Sequence, residues 1–240
     1  MKERLNLPAP TANFEFEALR VAVNYRRALV REFRRHLRGR VIEIGAGVGQ
    51  ITELMRQLPD IRHLLAIEPD AGFCREFRNS FPGQPLIEGT IHAIGGDETW
   101  NAIVSINVLE HIREDERELA DYRKLLQREK GRLCLFVPAC QEIYAPIDGD
   151  FGHHRRYSKA ELRSKLLNAG FDILRLDYFN CVGYFAWWLN FCVRKKRHFD
   201  IHLVRLFDRV IFPCVYALES GLFAPPFGQS LIAIAQARPT

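Results

Sequence analysis

The sequence predicts an α/β protein in which a seven-stranded, mostly parallel sheet carries helices on both faces. Short strands that are apolar on both faces alternate with helix-like segments, which is the pattern of a doubly covered parallel sheet. A glycine-rich turn directly follows the first strand, where open α/β sheets bind their ligands. The seven predicted strands are RVIEI, HLLAIE, PLIE, AIVSIN, RLCLFVP, FDILRLDYF and SLIAIAQA.

The segments around these strands are predicted to be helical from their apolar spacing and end signals. Residues 13–38 form one predicted helix that Gly39 ends, so residues 1–39 are predicted to be an N-terminal helical extension of a 40–240 domain. ITELMRQL and DERELADYRKLLQREKG follow the first and fourth strands as helices. Ser158 and Glu161 form a capping box that opens a helix ending at Gly170.

An aromatic-rich insert, residues 180–229, separates the last two strands where compact folds use a short connection. It contains Trp187 and Trp188 and the basic run Arg194–Arg197. Three interpretations stay open: a buried helical cap, a lid that forms an apolar pocket, and a peripheral membrane contact with the tryptophans at the interface. The insert and the N-terminal helix are also candidate subunit contacts in a homo-oligomer.

Composition and charge narrow the class of protein. The net charge is +5, and eight arginines crowd residues 20–40, which suits phosphates, acidic headgroups or a solvated helix face. Nucleic-acid binding is disfavoured because these arginines recur on several helix faces without a base-reading motif. Six cysteines without a C-x-x-C pair predict no metal site and no disulfide framework. The absence of a signal peptide and of a long apolar run predicts a cytoplasmic protein, peripheral to the inner membrane face under the third interpretation.

The stretch VIEIGAGVGQIT defines the predicted ligand site. Gly45, Gly47 and Gly49 allow a ligand to approach the backbone closely, and the spacing E-x-G-x-G-x-G differs from the dinucleotide pattern G-x-G-x-x-G. Glu43 would repel a pyrophosphate but suits an ammonium group. Glu68 ends the second strand about 20 residues beyond the loop, where a carboxylate can accept both hydroxyls of a ribose. These features indicate a nucleoside with a cationic amino-acid end.

VIEIGAGVGQIT, AIEPD and NAIVSINVLEHI together resemble the ordered motifs of class I S-adenosylmethionine-dependent methyltransferases, over about residues 20–180. The resemblance implies a Rossmann-like fold, S-adenosylmethionine as cofactor and S-adenosylhomocysteine (SAH) as product. It places Glu43 near the sulfonium and amino group, Glu68 on the ribose and Asn107 on the methionine side. The full set of implied cofactor contacts is Glu43, Gly45, Ala46, Gly47, Gly49, Glu68, Pro69, Thr90, Ile91, Asn107, Val108 and Leu109.

Two positions depart from the family pattern. The acid that often holds the adenine amine is Thr90 here, and the usual aspartate before the fourth strand is Asn101.

Methyl transfer is an in-line displacement, so the protein must align the acceptor and, for a hydroxyl acceptor, remove a proton. His111, after the fourth strand, is a candidate base, although it is often structural in this family. The loop DGDFGHHRRYS after the fifth strand offers the other candidates for catalysis, His153, His154 and Tyr157. The predicted acceptor-binding residues are Tyr25, Arg155, Arg156, Trp187 and Trp188. Arg155 or Arg156 is expected to bind an acidic group of the acceptor.

GHHRRYSKAELRSKLLNAGF and PFGQSLIAIAQA resemble a bacterial subgroup that acts in specialised-metabolite, lipid or polysaccharide pathways. The resemblance implies a small-molecule or lipid-like acceptor that is hydrophobic or amphipathic. Two alternatives remain: a methyltransferase-like module that binds without catalysis, and an NAD-dependent oxidoreductase, against which the glycine spacing and Glu43 argue.

Overall fold

The computed structural model describes residues 12–95, 98–126, 130–221 and 224–239, with the backbone alone at 12–16. It contains one seven-stranded sheet in the order β3-β2-β1-β4-β5-β7-β6, in which β7 alone runs antiparallel to its neighbours. The predicted mostly parallel sheet is therefore confirmed. The strands are β1 (Gly39–Ile44), β2 (Ile61–Glu68), β3 (Leu86–Glu88), β4 (Ala102–Ile106), β5 (Arg132–Pro138), β6 (Phe171–Phe179) and β7 (Ser230–Ala237).

Helices flank the sheet, which confirms the predicted architecture. They are α1 (Ala12–Val21), α2 (Val23–Phe33), α3 (Thr52–Met55), α4 (Ala71–Ser80), α5 (Asp115–Leu126), α6 (Pro146–Asp150), α7 (Lys159–Asn168), α8 (Cys181–Trp187), α9 (Ile201–Leu206) and α10 (Phe212–Gly221). The predicted capping box starts α7, where the Glu161 amide donates to the Ser158 hydroxyl at 3.1 Å. Residues 1–11 of the predicted extension and residues 127–129 of the helix predicted after the fourth strand lie outside the described residues.

The N-terminal segment is two helices where the sequence predicts one. The break falls at Ala22, whose side chain cannot cap the helix that follows. Asp208 caps it from the insert instead: its carboxylate accepts from the amides of Asn24 at 3.0 Å and Tyr25 at 2.8 Å. A short 3₁₀ turn, Arg34–His36, completes the segment before β1.

The second of these helices packs into the hydrophobic core on one face of the sheet. Leu29 and Phe33 are fully buried and cluster with Val41, Val104 and Phe136 of three strands. The apolar face of α2 therefore covers β1, β4 and β5.

The insert folds as helices over the same part of the molecule. A π-helical turn (Trp188–Val193) extends α8, and a second one (Phe207–Ile211) joins α9 to α10. Glu219 of α10 accepts from the amides of Asn180 at 2.8 Å and Cys181 at 2.7 Å, which ties the two ends of the insert together. Among the described residues, none of the helices is long and apolar enough to cross a membrane.

Candidate active site

The glycine loop after β1 is shaped by close contacts that only glycine permits. Gly45 has a φ of +70°, and a Cβ built there would lie 2.3 Å from Cγ2 of Val108. Gly49 has a φ of +89°, and its Cβ would lie 2.3 Å from the Phe81 ring. The loop therefore needs glycine both for its left-handed backbone and for packing against the turn after β4.

Two buried carboxylates lie at the ends of β1 and β2, on either side of this loop. Glu68 accepts hydrogen bonds from the amides of Gly47 at 2.8 Å and Asp70 at 2.9 Å. Glu43 accepts one from the Thr52 hydroxyl. Burial raises the pKa of Glu43 to about 8, opposed by the Thr52 hydrogen bond. A cationic group beside Glu43 would favour its ionised form.

The other residues implied as cofactor contacts surround the loop at this edge of the sheet. Ala46, Ile91 and Leu109 are buried, whereas Pro69 and Thr90 are exposed. Asn107 directly follows β4 with a φ of +52° and lines the cavity described next. Asn101 instead lies at the amino end of β4, where its side chain accepts from the Arg40 amide at 2.8 Å.

A largely apolar cavity of about 410 Å³ adjoins the cofactor edge at Asn107. Its volume is in the range of small-molecule sites. The N-terminal helices form one wall and the insert another. Its apolar and aromatic lining includes Ala18, Leu19, Ala22, Tyr25, Phe136, Phe151, Trp187, Phe191, Phe199, Leu203, Phe207, Ile211 and Phe212.

Two polar side chains of the cavity wall, those of His153 and Arg156, contact Asp148 of α6, which is fully buried. Its Oδ1 lies 3.0 Å from Nδ1 of His153 and accepts from Nε of Arg156 at 2.9 Å. Burial raises the pKa of Asp148, but the hydrogen bonds from His153 and Arg156 outweigh it and lower that pKa overall. The Arg156 guanidinium lies 4.3 Å from the centre of the Trp187 ring. His153 and Arg156 both line the cavity.

The remaining residues predicted for catalysis and acceptor binding occupy different positions. His111 packs edge-on to His153, with ring centres 4.7 Å apart, and burial lowers its pKa to about 3. The Tyr157 hydroxyl is buried and donates to Asp115 at 2.8 Å. His154 and Trp188 are exposed, and Arg155 pairs with Asp115 at 2.8 Å. None of these five residues lines the cavity.

Two structural residues of the site escaped the sequence analysis. Arg26 is buried, and its guanidinium donates to the carbonyls of Gln50 at 3.0 Å and Arg20 at 3.2 Å, which joins α2 to the glycine loop. The arginine-rich composition gave no sign that this arginine differs from its neighbours. Asp208 carried no local signal either, because its partners lie at the other end of the chain.

A family model described as "Methyltransferase domain" matches residues 17–176, about two-thirds of the chain. No curated protein sequence matches this chain. Among solved structures, the Haloferax volcanii complex of the Trm112 methyltransferase activator with a candidate methyltransferase matches at 14% identity, TM-score 0.66, over 99% of this chain and 100% of that one.

Two further structures have the same fold. An Archaeoglobus fulgidus SAM-dependent methyltransferase matches at 17% identity and TM-score 0.54, over 86% of this chain and 90% of that one. A mycolic acid cyclopropane synthase complexed with SAH and CTAB matches at 14% identity and TM-score 0.52, over 83% of this chain and 79% of that one. At such identities these likenesses establish the fold, whereas the family match covers the glycine loop, both acids and the loop after β5. The chain therefore belongs to the methyltransferase-domain family, the S-adenosylmethionine-dependent methyltransferases that its motifs resemble.

Proposed function

We propose that the protein transfers the methyl group of S-adenosylmethionine to an amphipathic acceptor held in the apolar cavity. The observation that carries the proposal is the junction at Asn107, which follows β4 beside the glycine loop and also lines the cavity. A cofactor at the carboxyl edge and an acceptor in the cavity would meet at this residue. Methyl transfer requires such an in-line encounter.

The cofactor half of the proposal rests on the two acids. Glu68 already accepts two backbone amides, which fix its carboxylate where a ribose would bind. Glu43 lies at the end of β1, where the resemblance puts the amino group of the methionine part. The close approach of Gly45 to Val108 supports a loop shaped to let the ligand pass along the backbone.

The acceptor half rests on the apolar walls of the cavity and on two buried polar side chains among its lining residues. Apolar and aromatic residues make up most of the lining, and His153 and Arg156 supply buried polar groups held by Asp148. Specific small-molecule sites combine apolar surface with a few fixed polar groups in this way. We assign the apolar part of the acceptor to the walls and its reacting atom to the vicinity of His153.

A transfer assay with radioactive methyl-labelled cofactor and a panel of amphipathic alcohols, phenols and amines tests this assignment. We expect His153→Ala to lose transfer while keeping SAH affinity, because His153 belongs to the acceptor cavity alone. The proposal is wrong if transfer by this variant equals that of the wild type, or if no amphipathic acceptor is methylated by a protein that binds SAH.

We further propose that the acceptor is taken from an anionic membrane surface. The insert exposes ten large apolar side chains: Val182, Phe185, Trp188, Leu189, Val193, Leu203, Leu206, Val210, Ile211 and Leu218. It also carries six basic residues against three acidic ones. Exposed apolar residues with basic neighbours favour binding to a membrane with anionic headgroups over binding to an uncharged apolar protein surface.

Co-sedimentation with phosphatidylglycerol vesicles, compared with phosphatidylcholine vesicles, tests the membrane proposal. We expect binding to the anionic vesicles at low salt, loss of binding in a Leu206→Ser, Val210→Ser double variant, and retention in a Leu167→Ser, Leu174→Ser control. The control removes two exposed leucines that lie outside the insert. No binding to anionic vesicles contradicts the proposal, as does self-association through this face without vesicle binding.

A further inference from the structure

Three potential metal ligands, Glu110, His111 and His153, converge beside the acceptor cavity. One ligand atom from each lies within 4.8 Å of those from the other two. Glu110 and His111 come from the 3₁₀ turn after β4, and His153 comes from the loop after α6. We propose that they bind one divalent transition-metal ion, at a position where the sequence alone predicted no metal.

The chemistry of the three residues fits such an ion. Two imidazoles and one carboxylate form the protein ligand set of many catalytic metal sites, which leave a further position open. Glu110 is fully buried, and its Oε1 lies 3.9 Å from Nε2 of His153. Ligand bonds of about 2.0–2.2 Å hold tetrahedral ligands roughly 3.4 Å apart, so the three groups need to close by about an ångström.

Each histidine is already held by a neighbouring side chain. Nδ1 of His153 is held by the Asp148 carboxylate at 3.0 Å, which leaves Nε2 directed at Glu110. The His111 ring packs edge-on against the His153 ring, with ring centres 4.7 Å apart. A carboxylate or a backbone carbonyl on the far nitrogen is the usual support of a metal-binding histidine, because it fixes the tautomer and the ring orientation.

The backbone that carries the ligands is also fixed. The His154 amide donates to the Glu110 carbonyl at 2.8 Å, which joins the turn after β4 to the histidine loop. The Tyr157 hydroxyl lies 3.2 Å from the Leu109 carbonyl. These contacts hold together two segments that are 48 residues apart in sequence at Leu109 and Tyr157, so a bound ion would only draw neighbouring ligands closer.

A bound ion would lie next to the acceptor cavity, because one of its three ligands, His153, lines that cavity. In this respect the inference rests on the proposed function. A bound ion would hold the acceptor hydroxyl and lower its pKa, so that its proton is lost to solvent. The oxygen then bonds to the methyl carbon as the sulfur–carbon bond breaks, and SAH leaves with the electron pair.

Metal binding is measured on the whole protein without cofactor or acceptor. We expect calorimetric titration with Zn²⁺ to give one site per chain, with Mg²⁺ binding far more weakly because imidazole favours the transition metal. Glu110→Gln, His111→Ala and His153→Ala should each weaken Zn²⁺ binding at least tenfold. His154→Ala removes the adjacent exposed imidazole and should leave the affinity unchanged.

A spectroscopic measurement separates a formed site from nonspecific binding. Co²⁺ in the wild type should give the visible absorption of a tetrahedral or five-coordinate site, and the three ligand variants should lose it. SAH affinity and thermal unfolding of each variant show whether it is folded. No stoichiometric Zn²⁺ binding by the wild type overturns the inference, as does equal Zn²⁺ affinity in all folded ligand variants. Zn²⁺ binding without methyl transfer would support the site and count against the proposed function alone.

Discussion

Binding of SAH should become tighter from pH 6 to pH 8, and Glu43→Gln should remove that pH dependence. Burial holds the pKa of Glu43 near 8 in the free protein, whereas the ligand's ammonium group would stabilise the ionised carboxylate. Ionising Glu43 at pH 6 costs about 2.7 kcal/mol, since each pKa unit is worth about 1.4 kcal/mol. With a pKa of about 8, the ionised fraction rises from roughly 1% to roughly 50% between these pH values, an increase of up to about 50-fold in affinity.

Calorimetry in two buffers with different ionisation enthalpies measures both the affinity and the protons released. The wild type should release close to one proton on binding near pH 7. Glu43→Gln provides the reference, because it subtracts the titration of the ligand and of all other groups. Glu88→Gln, an exposed glutamate at the end of β3, should behave like the wild type. The reasoning is refuted if the wild type and Glu43→Gln show the same pH dependence.

Three further changes test individual contacts. Gly45→Ala should lower stability and SAH affinity more than Gly83→Ala, measured by urea unfolding and calorimetry, because both have positive φ but only Gly45 faces a neighbour at 2.3 Å. Asp208→Ala should cost about 2–4 kcal/mol of unfolding free energy, since two amides lose a buried charged acceptor. Asp200→Ala, at the exposed cap of α9, should lower the unfolding free energy by about 1 kcal/mol. Equal losses of unfolding free energy in the Asp208 and Asp200 variants would contradict the argument. Arg156→Lys should raise the acceptor KM with unchanged SAH affinity, because lysine cannot reproduce the hydrogen bonds to Asp148 and Ala139; a change in SAH affinity alone would contradict it.

The sheet was predictable from sequence because its strands are strongly apolar and alternate with helices. The predicted FDILRLDYF and SLIAIAQA coincide with β6 and β7 at both ends. The break between α1 and α2 was not predictable, because the groups that cap α2 belong to Asp208 in the insert. Local rules for helix ends do not include such a distant partner.

The candidate site, like the fold, could be predicted from the sequence only in part. The positions of Glu43 and Glu68 beside the glycine loop follow from motifs read along the chain, since Glu68 ends β2 and Glu43 precedes the last residue of β1. The convergence of Glu110, His111 and His153 depends on how the loop after α6 folds back over β4. The sequence names these residues but not their distances. The differing surroundings of His153 and the exposed His154 likewise appear only in three dimensions.

The central claim, a site for S-adenosylmethionine at the carboxyl edge of β1 and β2, is tested most directly by calorimetric titration with SAH. NAD serves as the parallel ligand, and Glu68→Gln and Glu88→Gln serve as matched variants. The account predicts binding of SAH without binding of NAD, weakened at least tenfold in Glu68→Gln and unchanged in Glu88→Gln. Absence of SAH binding, or SAH binding that is indifferent to Glu68, would contradict it.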